Sequence, residues 1–159
     1  MAAPTTSRTT PVGAFLSDGY QTLVAFQADP DVSFWEKTVK PPGVDGGAPV
    51  NTTTMHNVTV RTMAPRNLIT MTDMSVKVAY DPRVYEQILL LVNTLTGITV
   101  HFSDGSTLDF YGWLQKFEPS DCADGAQPEA TVVITPSNMV PVTFAESTPN
   151  YKTASGTDI

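Results

Sequence analysis

Apolar positions along this 159-residue chain change period several times, and each change marks an element. Tyr20–Phe26 and Val32–Val39 are β-prone runs separated by Asp29-Pro30-Asp31, a turn signal. Residues 40–55 follow with two tandem prolines, Pro49, three glycines and few apolar side chains, which predicts a long loop. Val58, Val60 and Thr62 alternate with Asn57, Thr59 and Arg61 and read as a half-buried strand; Ala64-Pro65-Arg66-Asn67 is turn material. Met74, Val76, Val78 and Tyr80 alternate with Ser75, Lys77 and Ala79 and predict a second, clearer strand.

A helix is predicted over Pro82–Leu95. Asp81 is suited to cap its first turn, because a carboxylate accepts the free amides there, and Pro82 stands where no amide hydrogen is missed. Val84, Ile88, Leu91, Val92 and Leu95 form one stripe, read as the core face, and Gly97 is expected to close the helix in the left-handed conformation. The next pair of strands, Gly97–Phe102 and Ser106–Phe117, allows its register to be argued. A two-residue Asp104-Gly105 loop would place the apolar sets of the two arms on opposite faces. A three-residue loop, Ser103-Asp104-Gly105, pairs Phe102 with Ser106, Val100 with Leu108 and Ile98 with Phe110, so that all share one face. Beyond Phe110 both faces become bulky, with Tyr111, Trp113 and Phe117 expected on one and Leu114 on the other. Glu118–Pro128 is an acidic loop, and Ala130–Pro136 is the last clear strand.

Met1–Pro11 and Thr148–Ile159 have the composition of mobile arms, so 1–14 reads as a flexible N-terminal arm, 141–159 as a C-terminal arm, and 15–140 as a single domain containing the loop 41–55. The fold class expected is mainly β, a β-sandwich or partly rolled barrel with one flanking helix. Hydrophobic content of 41% suits a packed core, while 16% charged residues is low beside about 25% in average domains, as on a surface covered by neighbours. The longest apolar run, Ile88–Val92, is far below the roughly 20 residues of a membrane span. Met1–Pro11 lacks the basic-then-apolar pattern of a secretory leader, and the single Cys122 has no intramolecular partner; both fit synthesis in a cytoplasm.

Nine basic and 16 acidic residues give a net charge of −7, with no Lys/Arg cluster, which argues against nucleic-acid binding. His56 and His101 are far apart, and the single Cys122 is too little to complete a zinc set with them. Glu118, Asp121 and Asp124 lack the alternating ligands of a calcium loop. No Gly-x-Ser-x-Gly elbow is present, and Gly43–Gly47 lacks the Gly-Lys-Ser/Thr of a phosphate loop. No catalytic, cofactor or metal site is expected.

The order of these pieces, with Phe110-Tyr111-Gly112-Trp113-Leu114 in the second hairpin arm, resembles the tail tube proteins of long-tailed bacteriophages, of the siphophage type. Phe34-Trp35-Glu36-Lys37, Pro41-Pro42-Gly43, Thr53-Thr54-Met55-His56-Asn57, Arg61 and Ala64-Pro65-Arg66 extend the resemblance over roughly residues 15 to 140. It implies a structural virion protein that assembles in the bacterial host cytoplasm. Six copies would close a ring, and rings would stack into a sheathless tube that delivers DNA without binding it specifically. The implied partners are further copies of the chain, a tape measure protein, a tail terminator and distal tail or baseplate proteins. Pro41, Pro42, Gly43, Val44, Asp45, Gly46 and Gly47 become the candidate contact between rings. Asp109, Glu118, Asp121 and Asp124 become candidates for the lumen wall. A terminator or distal tail ring of the same fold is the alternative role, and a soluble β-sandwich binding module a more remote one.

Overall fold

The computed structural model describes residues 18–153, apart from residues 31 and 33; the expected N-terminal arm lies outside them. The chain is mainly β. Strands β1 (Leu23–Phe26), β2 (Trp35–Lys40), β7 (Met74–Ala79), β8 (Thr96–His101), β9 (Thr107–Pro119), β10 (Glu129–Pro136) and β11 (Asn150–Lys152) form one antiparallel sheet. Its order is β1-β8-β9-β10-β7-β2, with β11 pairing the start of β9. Four short strands, β3 (Val44–Asp45), β4 (Val50–Asn51), β5 (Met63–Ala64) and β6 (Thr70–Met71), lie between β2 and β7.

The sheet rolls until its edges approach. Between β1 and β2, Glu36 Oε1 accepts the Val24 N–H at 3.1 Å, and the Phe26 and Phe34 rings meet edge to face with centroids 5.9 Å apart. Val24, Phe26, Ile98, Val100, Phe110, Leu114, Val132, Ile134, Met74, Val76 and Val78 fill the inside of the roll. Alternation puts them there: in β7, β8 and β10 every second residue is buried. This is the partly rolled barrel with a flanking helix anticipated from the sequence.

The β8–β9 hairpin has the three-residue loop. Ile98 pairs with Phe110 and Val100 with Leu108, Gly105 takes φ 85°, and the Phe102 N–H donates to Ser106 O at 2.9 Å. Further along β9 the expectation fails. Val133 pairs with Lys116 but Ile134 with Leu114, so Gln115 is an extra residue, a β-bulge. The bulge flips everything after it, and Phe117 joins Leu114 on the core side, against Tyr80. Gly112 is needed where it stands, since a Cβ would lie 2.5 Å from the Thr135 carbonyl oxygen of β10.

The helix is shorter than its stripe suggests. Asp81 Oδ1 accepts the Arg83 N–H at 3.0 Å and starts a 3-10 turn over Pro82–Val84; α1 then covers only Tyr85–Leu91. Asn93, not Gly97, adopts the left-handed conformation (φ 59°), because Val92 turns out of the helix to bridge Leu114 and the Asn93 N–H donates to Leu114 O. Gly97 lies in β8. Ile88 and Leu91 are buried, Val84 and Val92 pack on the core, and Leu95 lies half-buried beyond the helix. The C-terminal arm expected from residue 141 is used up to residue 152. Residues 138–147 form a tight hairpin, and β11 pairs with β9. No helix among the described residues is long and apolar enough to cross a membrane.

Candidate assembly surface

Residues 41–73 leave the barrel at the end of β2 and re-enter it at β7 as one extended arm. Its two limbs are held by short ladders, Val44↔Met71 and Asp45↔Thr70 near the base, Val50↔Ala64 and Asn51↔Met63 further out. Side chains staple it at the root and between the ladders. Thr72 Oγ1 accepts the Gly43 N–H at 2.8 Å, Asp45 Oδ1 accepts the Gly47 N–H at 2.8 Å with Gly47 at φ 75°, and Arg66 Nε donates to Ala48 O at 2.8 Å. Pro41, Pro42, Gly43, Val44, Asp45, Gly46 and Gly47 thus form the first limb, close to its root.

The strand expected from Val58, Val60 and Thr62 does not form. These residues lie around the tip of the arm, where Val58 is 98% and Met55 100% exposed. Alternation alone misleads here, because a strand needs a neighbour and a face to bury, and among the described residues the tip has neither. Val44, Val50, Val60, Met63, Leu68 and Ile69 are exposed as well. The arm therefore carries eight large apolar side chains that the subunit core does not use. Solitary exposed apolar residues need no explanation, but their concentration along one segment is of the kind seen on contact surfaces.

Charge is also divided. Residues 46–72 contain Arg61 and Arg66 and no acid, a net +2, so the other 132 residues carry −9 of the total −7. That division is the sequence signal from which the arm as a whole could have been found. Acidic side chains gather at the far end of the barrel. The loop between β9 and β10 holds Asp121 and Asp124, neither of which makes an ion pair among the described residues, and Cys122 is exposed between them. Glu118, at the end of β9, pairs with Lys116. Glu129 binds Lys37, whose ammonium holds the carboxyl below the usual range, with Lys77 adding to the effect.

Asp109 lies elsewhere. It sits half-buried on the face of the sheet away from the core, accepts a hydrogen bond from Thr99 Oγ1 at 2.8 Å and pairs with Lys152 at 3.3 Å. The four acids considered for a lumen wall therefore do not form one group: Asp109 is on the sheet, and the other three cluster at one end. Beside Asp109, a shallow cleft of about 660 Å³ between β1, β8, β9 and residues 147–150 is lined by Thr99, His101 and Tyr111. His56 is on the arm, remote from His101, and no group of three metal-ligating side chains occurs among the described residues.

No family model matches the chain, and no curated protein does. Solved structures do match in fold. A chain from the tail of an empty gene transfer agent particle with C6 symmetry superposes with a TM-score of 0.57 at 8% identity, covering 77% of this chain and 95% of its own length. A chain from the virion of the native gene transfer agent particle gives 0.56 at 8% identity, over the same shares of the two chains. A chain from the six-fold symmetrised baseplate of the anti-feeding prophage gives 0.55 at 9% identity, over 97% of this chain and 99% of its own. The fold is that of chains found in phage-type tails and baseplates.

Proposed function

We propose that this chain is a structural virion protein of a phage-type tail, in which six copies form a ring and rings stack into the tube that carries DNA. The observation that carries this reading is the arm of residues 41–73, which projects eight unused apolar side chains from a fold shared with chains of six-fold tail and baseplate particles. Fully burying a Val, Leu or Met contributes roughly 1.5–3 kcal/mol each. Several such residues per arm, repeated around a ring, offset the ordering of the arm and the repulsion among copies that together carry 6 × −7 = −42. Ring closure also covers the backbone of β1 and β2 that the roll leaves unpaired, which would otherwise invite disordered strand pairing.

In this reading the open face of β8 and β9 lines the channel. Asp109 faces the DNA there and keeps Lys152 occupied, so that this cation is not free to hold phosphates. The partners are further copies of the chain, a tape measure protein, and the terminator and distal tail or baseplate proteins that close the tube. The protein has no catalytic role and resides in the virion after assembly in the host cytoplasm. The near-complete overlap with the anti-feeding prophage baseplate chain favours one alternative, a single ring at the end of a tube.

Negative-stain microscopy of the purified chain, alone and mixed with tails seeded by the other tail components, tests the proposal. Stacked rings with an open channel are expected, and rings that never stack would favour the end-ring role. A chain that stays monomeric at every concentration and does not join seeded tails would refute both.

A further inference from the structure

The arm and the acidic loop leave the barrel in opposite directions. In the β7–β10 ladder, Met74, where the arm re-enters, pairs with Ile134, while Ala79 pairs with Glu129, which directly follows the acidic loop. Five residue steps of about 3.3 Å separate these ends by roughly 17 Å. The helix starts at the acidic end too: the Tyr80 N–H, just before it, donates to Pro128 O at 2.9 Å. The helix presents Tyr85, Leu89 and Leu90 to the outside, with Glu86 beside them. One end of the subunit is thus a projecting element with apolar side chains and two arginines. The other carries the acidic loop, with Asp121 and Asp124 outside any ion pair among the described residues, and the apolar ridge of α1 runs back from it along the barrel wall to Val92, which bridges Leu114.

We infer that the arm of one copy docks on the acidic end of the next copy, over the surface made by the Glu118–Asp124 loop and the exposed ridge of α1. The inference rests on the tail-ring reading and names the receiving surface of its axial contact. A second copy is the fitting occupant because the two patches complement each other in both apolar character and charge, and every copy carries both. Arg61 makes no ion pair among the described residues, and neither do Asp121 and Asp124. Two different patches joined in this way form a heterologous contact, which repeats in one direction. It therefore gives the stack a polarity, since arm against arm would bring like charges together.

Raising the salt concentration does not test this pairing cleanly, because salt also screens the repulsion between copies. Charge exchange does. Arg61→Glu alone and Asp121→Lys with Asp124→Lys alone should each abolish stacking, and the triple variant should restore it. The exposed Cys122 supplies a second readout. Val58→Cys, at the arm tip, should give a ladder of crosslinked copies with a short bismaleimide in assembled samples, and the ladder should vanish when Cys122→Ser is added. Tubes that form without this crosslink, a ladder that survives Cys122→Ser, or a triple variant no better than either parent would overturn the inference while leaving the tail-ring reading intact. Failure of the unmodified chain to stack or to join seeded tails would instead remove the reading on which it rests.

Discussion

Removing the arm should separate the stability of the subunit from its ability to assemble. Asp45 and Thr70 are direct partners in the ladder at the arm's root, so residues 46–69 can be replaced by an Asn-Gly turn joining the two strands. The Gly43–Thr72 hydrogen bonds and Met71, which packs on the core, are kept. The excised segment holds 24 residues, among them seven of the eight exposed apolar side chains, and none of the buried core. Its loss therefore removes almost no packing from the free subunit. Closing 2 residues instead of 24 changes the loop entropy by (3/2)RT ln(24/2), about 2 kcal/mol in favour of the shortened chain, an upper figure because tight turns are stiff. The truncated subunit should unfold at the same urea concentration as the parent or higher, and melt between 0 and about 8 °C above it, at roughly 2–4 °C per kcal/mol. In the microscope it should form no stacks. A loss of more than 2 kcal/mol would mean that the arm belongs to the core, and normal tubes would mean that it is not the stacking element.

Two further predictions concern the subunit itself. Leu91→Ala, at a side chain only 2% exposed, should cost roughly 2–5 kcal/mol in denaturant unfolding. Leu90→Ala, its neighbour at 74% exposure, should stay within about 0.5 kcal/mol in the isolated subunit, and equal losses would place the wrong face of α1 inward. Glu36 is held above the usual carboxylate range by burial, despite its bond from the Val24 N–H. A carboxyl with a raised folded pKa binds its proton more readily in the folded state, so its contribution to stability grows as pH falls through the range above 4.5 and is lost as pH rises. Asp81, Asp104 and Glu129 are shifted down and act in the opposite sense, losing stability as pH falls. Glu36→Gln keeps an acceptor for Val24 and removes the Glu36 part alone. The difference in unfolding free energy between variant and parent should therefore be largest at neutral pH and shrink towards pH 4.5. A difference independent of pH would refute the burial argument.

Features decided by neighbours in sequence were legible in it. The β8–β9 register follows from the Gly105 turn and strict alternation on either side, because a slip by one residue would have exposed the entire apolar set. The Asp81 cap is likewise a local hydrogen bond, two residues long. What the sequence could not decide were the features chosen by a partner strand. Gln115 bulges because β10 pairs with β9 on both sides of it, and Phe117 changes face as a result. The helix stops at Leu91 although apolar spacing continues, since Val92 and Asn93 find better partners in Leu114 than in another helical turn. Val58 and Val60 alternate like a strand and remain exposed, because none of the described residues covers them. Periodicity records where apolar side chains are spaced for burial. Only the tertiary structure shows whether the surface that buries them belongs to the same subunit.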